Sequence, residues 1–382
     1  MTTRTSRPAY FFIFLCAGLA FGIIGPSLPL LADRSAVTVG EIGTVLVFYG
    51  LGYLVGTRLF VRGYDKGWGN KLAASALGCS AFCFALVPLG SNVVLISAAF
   101  FCFGAALSTS DVGCNTMIVW ELREKSGASL AFMHTMFGVG AIVSPFIVRA
   151  SDNFNGSAHF AYWFGSAMLL SSGLFVLTRT SPPDPHVEIR AQQGDLSRSQ
   201  IGYIVLYFFG YVAVEVAFAT WIYTYATRIG MPKIEAALVN SLFWVGFMLG
   251  RLATVWLARL TNSLRFVRIA VLVNLTVCAV LLVGLDSTLI VLAPIYGLAT
   301  APQFPLMLAY IGTRIPLSGK MTSRVVGTAG LSSTVMPWLT GQVLENVGLW
   351  TFPITLAAAA FAVLVATGLI VARLPKALIA TT

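Results

Sequence analysis

The sequence predicts an all-α membrane protein with twelve transmembrane helices in two pseudo-symmetric six-helix bundles. Three observations support this prediction. Only 10% of the 382 residues are charged, and the mean hydropathy is +0.85. About a dozen apolar stretches approach the length of about 20 residues that a helix needs to cross a bilayer core about 30 Å thick. Matching motifs also recur in the two halves of the chain.

The apolar stretches form two sets of six, and the longest polar stretch, Arg179 to Arg198, separates them. We therefore expect an N-terminal bundle of residues 1–179, a cytoplasmic linker at 180–198 and a C-terminal bundle of residues 199–382. In chain order, the predicted spans are 9–31, 40–60, 72–90, 92–118, 127–149, 159–179, 200–226, 234–257, 265–284, 287–311, 322–344 and 350–372.

The distribution of Lys and Arg predicts the orientation, because these residues are retained on the cytoplasmic side. With the N-terminus inside, the predicted spans leave 20 of the 24 basic residues on the inner side. This imbalance favours an even number of spans with both termini in the cytoplasm. We expect this multi-pass protein in the cell (inner or plasma) membrane. It also explains the net charge of +10 without a nucleic-acid partner. The four outer bases are Arg34, Arg149, Arg228 and Lys233.

Motifs of several other protein classes are missing from the sequence. It contains no G-x-x-x-x-G-K-[ST] nucleotide-binding motif and no H-E-x-x-H metal motif, so we expect neither an enzyme nor a bound cofactor or metal. The six cysteines all fall inside apolar stretches, without a metal-ligand pattern, and we interpret them as small apolar residues. The energy for transport would then come from an ion gradient or from the solute itself, unless a separate subunit supplies it.

Two pairs of motifs indicate that the halves are repeats. Residues 52–56 match residues 246–250 at an offset of 194, with glycine at both ends of each segment. Residues 138–145 match residues 330–337 at an offset of 192, each beginning with glycine and ending with proline. Small residues four apart let helix backbones approach closely in lipid. One such motif occurs in many membrane helices, but two matched pairs favour a duplicated six-helix unit.

Asp111 and Asn115 are the first candidate site. They are four residues apart in the fourth span and therefore share one helix face. A carboxylate beside a carboxamide offers several acceptors and two donors, which suits the hydroxyl groups of a sugar. An ionisable group at membrane depth is costly and usually marks a substrate or ion pathway. The alternative is a pair of packing residues that bind a neighbouring helix.

Glu215 is the second candidate, because it lies about 15 residues into the seventh span, near the middle of the bilayer. A carboxyl group there is able to take up and release a proton during transport, or to help coordinate a sodium ion. Tyr211 shares its face, and Trp221 and Tyr225 follow on an adjacent face, where they would complete a pocket. The alternative is a structural bond to a facing helix.

Two further polar residues, His134 and Gln303, are candidates for solute binding. His134 begins the apolar part of the fifth span, where a histidine more often bonds to a neighbouring helix. Gln303 lies in the tenth span between Pro302 and Pro305. These prolines predict a break in the helix that would free backbone carbonyls beside the Gln303 amide.

Several segments carry a resemblance to a known family. The sequence Asp-Val-Gly-Cys-Asn at 111–115 places an acid and an asparagine four apart in the fourth span. The most specific segment is 211–226, and the others are 49–56, Asp65 to Lys71, 303–305 and 330–337. On these segments the chain resembles the major facilitator superfamily. Within it, the chain is similar to the fucose permease-like branch, and most of all to the sodium-dependent glucose transporter type.

The resemblance covers both halves and implies the major facilitator fold with alternating access. It implies a monosaccharide held between the bundles and moved with a proton or a sodium ion, with the first, fourth, seventh and tenth helices lining the cavity. It also implies a monomer. Fucose permease-like proteins can carry an acid in the first helix, but residues 21–29 contain none. We therefore expect Asp111 and Glu215 to couple the ion.

We interpret the chain as a secondary transporter of a small neutral solute, with a hexose as the first choice. Two alternatives stay open: a proton-coupled exporter of cationic, lipophilic compounds, and a non-transporting sensor with the same fold. The residues expected to bind the solute are Asp111, Asn115, His134, Glu215, Trp221, Tyr225 and Gln303. The residues expected at an inner gate are Arg58, Asp65, Lys71, Arg251 and Arg259.

Overall fold

The computed structural model describes residues 6–59, 68–122, 126–182, 197–257, 263–284, 288–312, 314 and 319–374. Within these ranges all regular secondary structure is helical, without a strand, and short turns join the helices. The helices are α1 (Arg7–Ser35), α2a (Val39–Ile42), α2b (Val45–Leu59), α3 (Gly69–Leu86), α4 (Val93–Leu122), α5 (Ser126–Asn155), α6 (His159–Leu177), α7 (Arg198–Arg228), α8 (Lys233–Leu257), α9 (Ser263–Leu282), α10a (Leu289–Thr300), α10b (Gln303–Gly312), α11 (Gly319–Asn346) and α12 (Thr351–Arg373).

Among the described residues, 11 spans are long and apolar enough to cross a membrane. The remaining predicted span, 322–344, the eleventh in chain order, lies within α11, a helix of 28 residues. It is the most polar of the long helices, since 12 of its residues are Lys, Arg, Glu, Gln, Asn, Ser or Thr. The structure therefore confirms the prediction of an all-α, multi-pass membrane protein.

Two of the predicted spans are broken. The second span, predicted at 40–60, is present, but it contains a break that the sequence did not predict: α2a ends at Ile42 and α2b begins at Val45. Around the break the backbone makes tighter bonds between residues three apart, from Leu46 to Gly43 and from Val47 to Thr44. The break predicted in the tenth span is confirmed, because α10a ends and α10b begins on either side of Pro302.

The chain forms two compact units. Unit 1 comprises Met1–Val187 and Thr220–Ser241, and unit 2 comprises Glu188–Ala219 and Leu242–Thr382. The ends of α7 and α8 that are joined by the turn at 229–232 thus belong to unit 1, whereas the remainder of each helix belongs to unit 2. The division into bundles at 179 and 199 remains a prediction from the sequence.

Glycines bring α2b and α4 into backbone contact in unit 1. A Cβ atom on Gly52 would overlap the carbonyl oxygen of Phe101, and one on Gly104 would overlap that of Tyr49. The glycine motif at 52–56 therefore serves the close approach of helices that its spacing predicted. This packing fixes the position of every side chain that α2b directs toward α4.

The same arrangement recurs in unit 2, where α8 packs against α10a. A Cβ atom on Gly246 would overlap the carbonyl oxygen of Pro294, and one on Gly297 would overlap that of Phe243. Gly297 follows Gly104 by 193 residues, close to the offsets of the two motif pairs. The repeat therefore extends to the partner helices, which the sequence comparison of the halves had not revealed.

Candidate functional site

Asp111 and Asn115 lie side by side on α4 in unit 1, with a tyrosine from α2b. The Tyr53 hydroxyl donates a hydrogen bond to Oδ2 of Asp111. The Asn115 amide donates to Oδ1 of Asp111 at 2.9 Å and to the Asp111 backbone carbonyl at 3.0 Å. Asp111 and Asn115 are both partly exposed. The structure thus brings together the two residues predicted from their spacing and adds Tyr53 as a third.

Sequence reasoning had not assigned Tyr53 a role, although a signal was present. Tyr49 and Tyr53 are four residues apart and so share one face of α2b, on the helix with the glycine motif. The Tyr49 ring lies 6.2 Å from the Tyr53 ring, 5.7 Å from Phe103 and 6.4 Å from Phe21. A cluster of aromatic rings centred on Tyr49 therefore lies beside Tyr53, which binds Asp111.

A cavity of about 390 Å³ adjoins this group, within the usual range of about 300–1,000 Å³ for small-molecule sites. Its walls include Asn115, Thr116 and Trp120 of α4 and Leu130 of α5. The lining thus combines a carboxamide, a hydroxyl, an indole and an aliphatic side chain. Such a surface offers hydrogen bonds to a polar solute and a flat apolar face for a ring.

The charge of Asp111 is not balanced by a cation in the part of the chain that the structure describes. Its carboxylate interacts with the neutral donors of Tyr53 and Asn115. A carboxylate with neutral partners in a largely apolar region keeps a strong attraction for a proton or a small cation. This arrangement is chemically suited to reversible cation binding.

Glu215 has a different environment, in unit 2. Its carboxylate faces the Tyr211 hydroxyl, the neighbour predicted on its face, and the guanidinium of Arg251 on α8. Arg251 also donates a hydrogen bond to the Tyr211 hydroxyl at 3.0 Å and lies 5.0 Å from the ring centre of Phe247. Arg251 therefore compensates the negative charge of Glu215, whereas Asp111 has no such described partner.

We expect Arg251→Gln to destabilise the protein more than the double variant Arg251→Gln/Glu215→Gln. The single change leaves Glu215 without its counter-charge in a partly buried setting, at a cost on the order of 2–3 kcal/mol, whereas the double change removes both charges. Thermal unfolding in detergent measures the order of stabilities. A double variant less stable than Arg251→Gln alone would show that the two charges do not compensate each other.

Gln303 is held by a polar network inside unit 2. Its amide nitrogen donates to Oδ1 of Asn274 on α9 at 2.6 Å and to the carbonyl of Ala299 at 3.0 Å. Its backbone carbonyl accepts a bond from the Tyr207 hydroxyl at 2.9 Å. Both amide hydrogens are thus engaged in this conformation, so solute binding by this amide remains a prediction that requires Gln303 to exchange a partner.

The other residues predicted to bind solute have varied settings. His134 is exposed on α5, and its ring lies 5.1 Å from that of Phe14. Trp221 is fully buried in unit 1 and lies against Gly43, whose added Cβ would stand 3.2 Å from the indole ring. Tyr225 is also buried in unit 1. Their roles in binding remain predictions.

Most of the predicted inner gate falls outside the described residues. Asp65 and Arg259 lie there, as does the side chain of Arg58. Lys71 is exposed at the start of α3, next to the buried Asn70. Arg251 contacts Tyr211, as described above.

Asn70 had no predicted role, although it belongs to the segment that carried the resemblance. It accepts a hydrogen bond from the Tyr10 hydroxyl at 2.7 Å and donates to the carbonyl of Arg179 at 3.0 Å. Its amide also donates to the Ser6 hydroxyl at 3.2 Å. Asn70 thereby joins the start of α1, the start of α3 and the residues that follow α6. This network gives the Gly-Asn-Lys segment a structural function.

Comparison with known proteins places this architecture in a family. The profile of the Major Facilitator Superfamily matches residues 10–295. The mouse sodium-dependent glucose transporter 1A is 23% identical over 369 residues, which cover 86% of this chain and 87% of the mouse protein. The Xenopus laevis sodium-dependent glucose transporter 1 is 25% identical, over 85% of this chain and 73% of the frog protein.

Solved structures show the same fold. A crystal structure of the nucleoside transporter NupG superimposes with a TM-score of 0.73 at 15% identity. The match covers 96% of this chain and 99% of the NupG chain. A bacterial homologue of the human lysosomal transporter Spinster superimposes with a TM-score of 0.69 at 12% identity. The match covers 96% of this chain and 95% of the homologue's chain. These proteins are membrane transporters and not enzymes. The chain is a transporter of the Major Facilitator Superfamily.

Proposed function

We propose that the chain is a secondary active transporter that moves a small neutral solute, with a hexose as the first choice. Transport proceeds across the cell membrane by alternating access and is coupled to H⁺ or Na⁺. The protein works as a monomer, as the family resemblance implies, and both of its termini lie in the cytoplasm, as the distribution of basic residues predicts. The fucose permease-like branch, and within it the sodium-dependent glucose transporter type, is the proposed subfamily.

The arrangement of Tyr53, Asp111 and Asn115 carries this proposal. Together these side chains provide hydroxyl, carboxylate and carboxamide groups beside a cavity of about 390 Å³. Adjacent hydroxyls of a sugar each need both a donor and an acceptor, which these groups supply. Trp120 in the cavity wall offers an aromatic face to the apolar side of a sugar ring. The names of the glucose-transporter relatives agree with this chemistry.

The two membrane acids have separate roles in this proposal. Asp111 holds the coupling cation, because its described partners are neutral and leave its charge uncompensated. Glu215 contributes to the solute pathway while paired with Arg251, whose charge lowers the attraction of Glu215 for another cation. The choice between a proton and a sodium ion depends on how many oxygens reach Asp111 in the loaded state.

The test is uptake of labelled glucose, galactose and fucose into proteoliposomes, under an imposed H⁺ gradient and, separately, an imposed Na⁺ gradient. A labelled nucleoside is included, because one protein of similar fold is named a nucleoside transporter. We expect saturable uptake of at least one hexose, raised by one of the two gradients. Glu215→Gln is measured beside the wild type: loss of gradient-driven uptake with retained exchange would move the coupling role to Glu215. Without saturable hexose uptake under either gradient, the hexose proposal is wrong.

A cationic, lipophilic solute is the second candidate. The uncompensated charge of Asp111 and the nearby aromatic rings of Tyr49 and Phe21 favour this alternative, since carboxylates and aromatic faces both attract organic cations. Proton-driven efflux of a fluorescent organic cation from the same proteoliposomes distinguishes it. If neither hexose nor cation moves while both bind, a non-transporting sensor becomes the better interpretation.

A further inference from the structure

Asp152, near the end of α5, binds two positively charged side chains through one oxygen. Lys233 Nζ lies 2.8 Å from Oδ2, and Arg149 Nη1 lies 2.9 Å from the same atom. The Asp152 side chain is only 11% exposed, whereas that of Lys233 is 52% exposed. Arg149 precedes Asp152 by three residues on the same helix, so of these two bonds the one to Lys233 joins α5 to α8.

Lys233 belongs to the 220–241 segment, which comprises the end of α7, the turn that follows and the start of α8. This segment is packed closely within unit 1. A Cβ atom on Gly25 of α1 would overlap the backbone of Thr220, so α1 and α7 touch at this point. One residue further along α7, the Trp221 ring covers Gly43 between α2a and α2b. The start of the segment therefore packs directly against α1 and against the turn between α2a and α2b.

The α8 part of the segment is attached to α5 by two polar bonds. The Ser241 hydroxyl donates to the carbonyl of Ile142 at 2.7 Å, and Ser241 is buried. The Asp152–Lys233 pair lies two turns closer to the start of α8, where Lys233 is the first residue of the helix. It is the more exposed of the two bonds and the one that carries charge.

We propose that the Asp152–Lys233 ion pair is a latch that holds the transporter closed at the end where α5 finishes and α8 begins. The inference rests on the alternating-access mechanism proposed above. In chain order the 220–241 segment belongs to the second half, whereas α1, α2a, α2b and α5 belong to the first. When the halves separate at this end, the contacts of the segment must break. Arg149 acts as a positioning residue, because it holds the same Asp152 oxygen from within α5.

The exposure of Lys233 limits the strength of the latch. An ion pair with one solvent-exposed partner shifts an equilibrium by up to about fivefold. High salt weakens such a pair by screening. The latch therefore biases the closed state without locking it, as a transporter that cycles between states requires.

The test is the labelling rate of a buried reporter cysteine with a soluble maleimide. The protein is purified in detergent, so that both ends are accessible and no solute is needed. The six native cysteines are replaced by alanine, and Ala237→Cys, buried in α8 four residues after Lys233, is the reporter. We expect Lys233→Gln to raise the labelling rate at position 237 by about fivefold at low salt, and by less at high salt.

Controls separate a latch from a loss of folding. Ala73→Cys, buried in α3, serves as a second reporter whose labelling rate should not change. The exchanged pair Asp152→Lys/Lys233→Asp should restore the slow rate at position 237. An unchanged rate in Lys233→Gln, or an equal rise at positions 73 and 237, would overturn the latch. Because no solute takes part, this result is independent of whether hexose uptake is observed.

Discussion

Replacing Asp111 with asparagine is expected to abolish accumulation of the solute against its gradient, while exchange of labelled for unlabelled solute continues. Asparagine keeps the size of the side chain and an acceptor for the Tyr53 hydroxyl, but it can neither be protonated nor attract a cation as a carboxylate does. An ion gradient then has no site through which to drive transport. Exchange needs only solute binding and the movement of the protein, so it should persist.

The control is an acid whose replacement should not change accumulation of the solute. Asp33, which is exposed near the end of α1, is such an acid. Accumulation by Asp33→Asn should equal that of the wild type. Accumulation that survives in Asp111→Asn but is lost in Glu215→Gln would reverse the proposed roles of the two acids. If both variants lose exchange as well, the two acids bind the solute itself rather than the coupling ion.

The extent to which the sequence predicts this site depends on the distance of each interaction along the chain. Asp111 and Asn115 are four residues apart on one helix, so their contact follows from helical geometry alone. Tyr53 reaches Asp111 across 58 positions, and Arg251 reaches Tyr211 across 40. Those contacts depend on which helices are neighbours and on their rotation, which hydropathy does not specify.

Gln303 is a second residue whose partner the sequence does not specify. Its polarity in an apolar span predicts that it binds something, and the prolines beside it correctly predict a broken helix. The sequence does not reveal that Asn274, on the preceding span, accepts one of the amide hydrogens. A buried amide is as well satisfied by a neighbouring helix as by a solute. Residue type alone therefore predicts the need for a partner, but not its identity.

The fold was easier to predict from the sequence than the site was. The bilayer sets the length of a span, and the length and apolar character of each span are local properties of the sequence. The break at Gly43 was missed for a related reason: glycine and threonine are both common in membrane helices, and nothing local distinguishes a kinked helix from a straight one. The duplication was visible only where both halves kept the same residue type. Gly104 and Gly297 also keep the residue type, but they stand in no longer matching motif and their partner residues Tyr49 and Phe243 differ in type, so only the structure paired them.

These two glycines carry the second prediction of large effect. We expect Gly104→Ala and Gly297→Ala each to destabilise the protein by about 3 kcal/mol, because the added Cβ would overlap a backbone carbonyl that cannot move without shifting a helix. Gly78→Ala in α3 is the matched control, since a Cβ there meets no atom within 4 Å. Alanine also has the higher helix propensity, by up to about 1 kcal/mol, so the control should be neutral or stabilising.

The measurement is the midpoint of thermal aggregation in detergent, with recovery of monodisperse protein for variants that do not fold. If Gly→Ala lowers the midpoint at position 104 but raises it at position 78, the fold requires the close packing of α2b on α4 rather than the flexibility of glycine. Equal losses at positions 104 and 297 would extend that requirement to α8 and α10a, as expected of a duplicated unit. If Gly104→Ala is as stable as Gly78→Ala, the two backbones are further apart than described, and the rigid support inferred for Tyr53 beside Asp111 is lost with them.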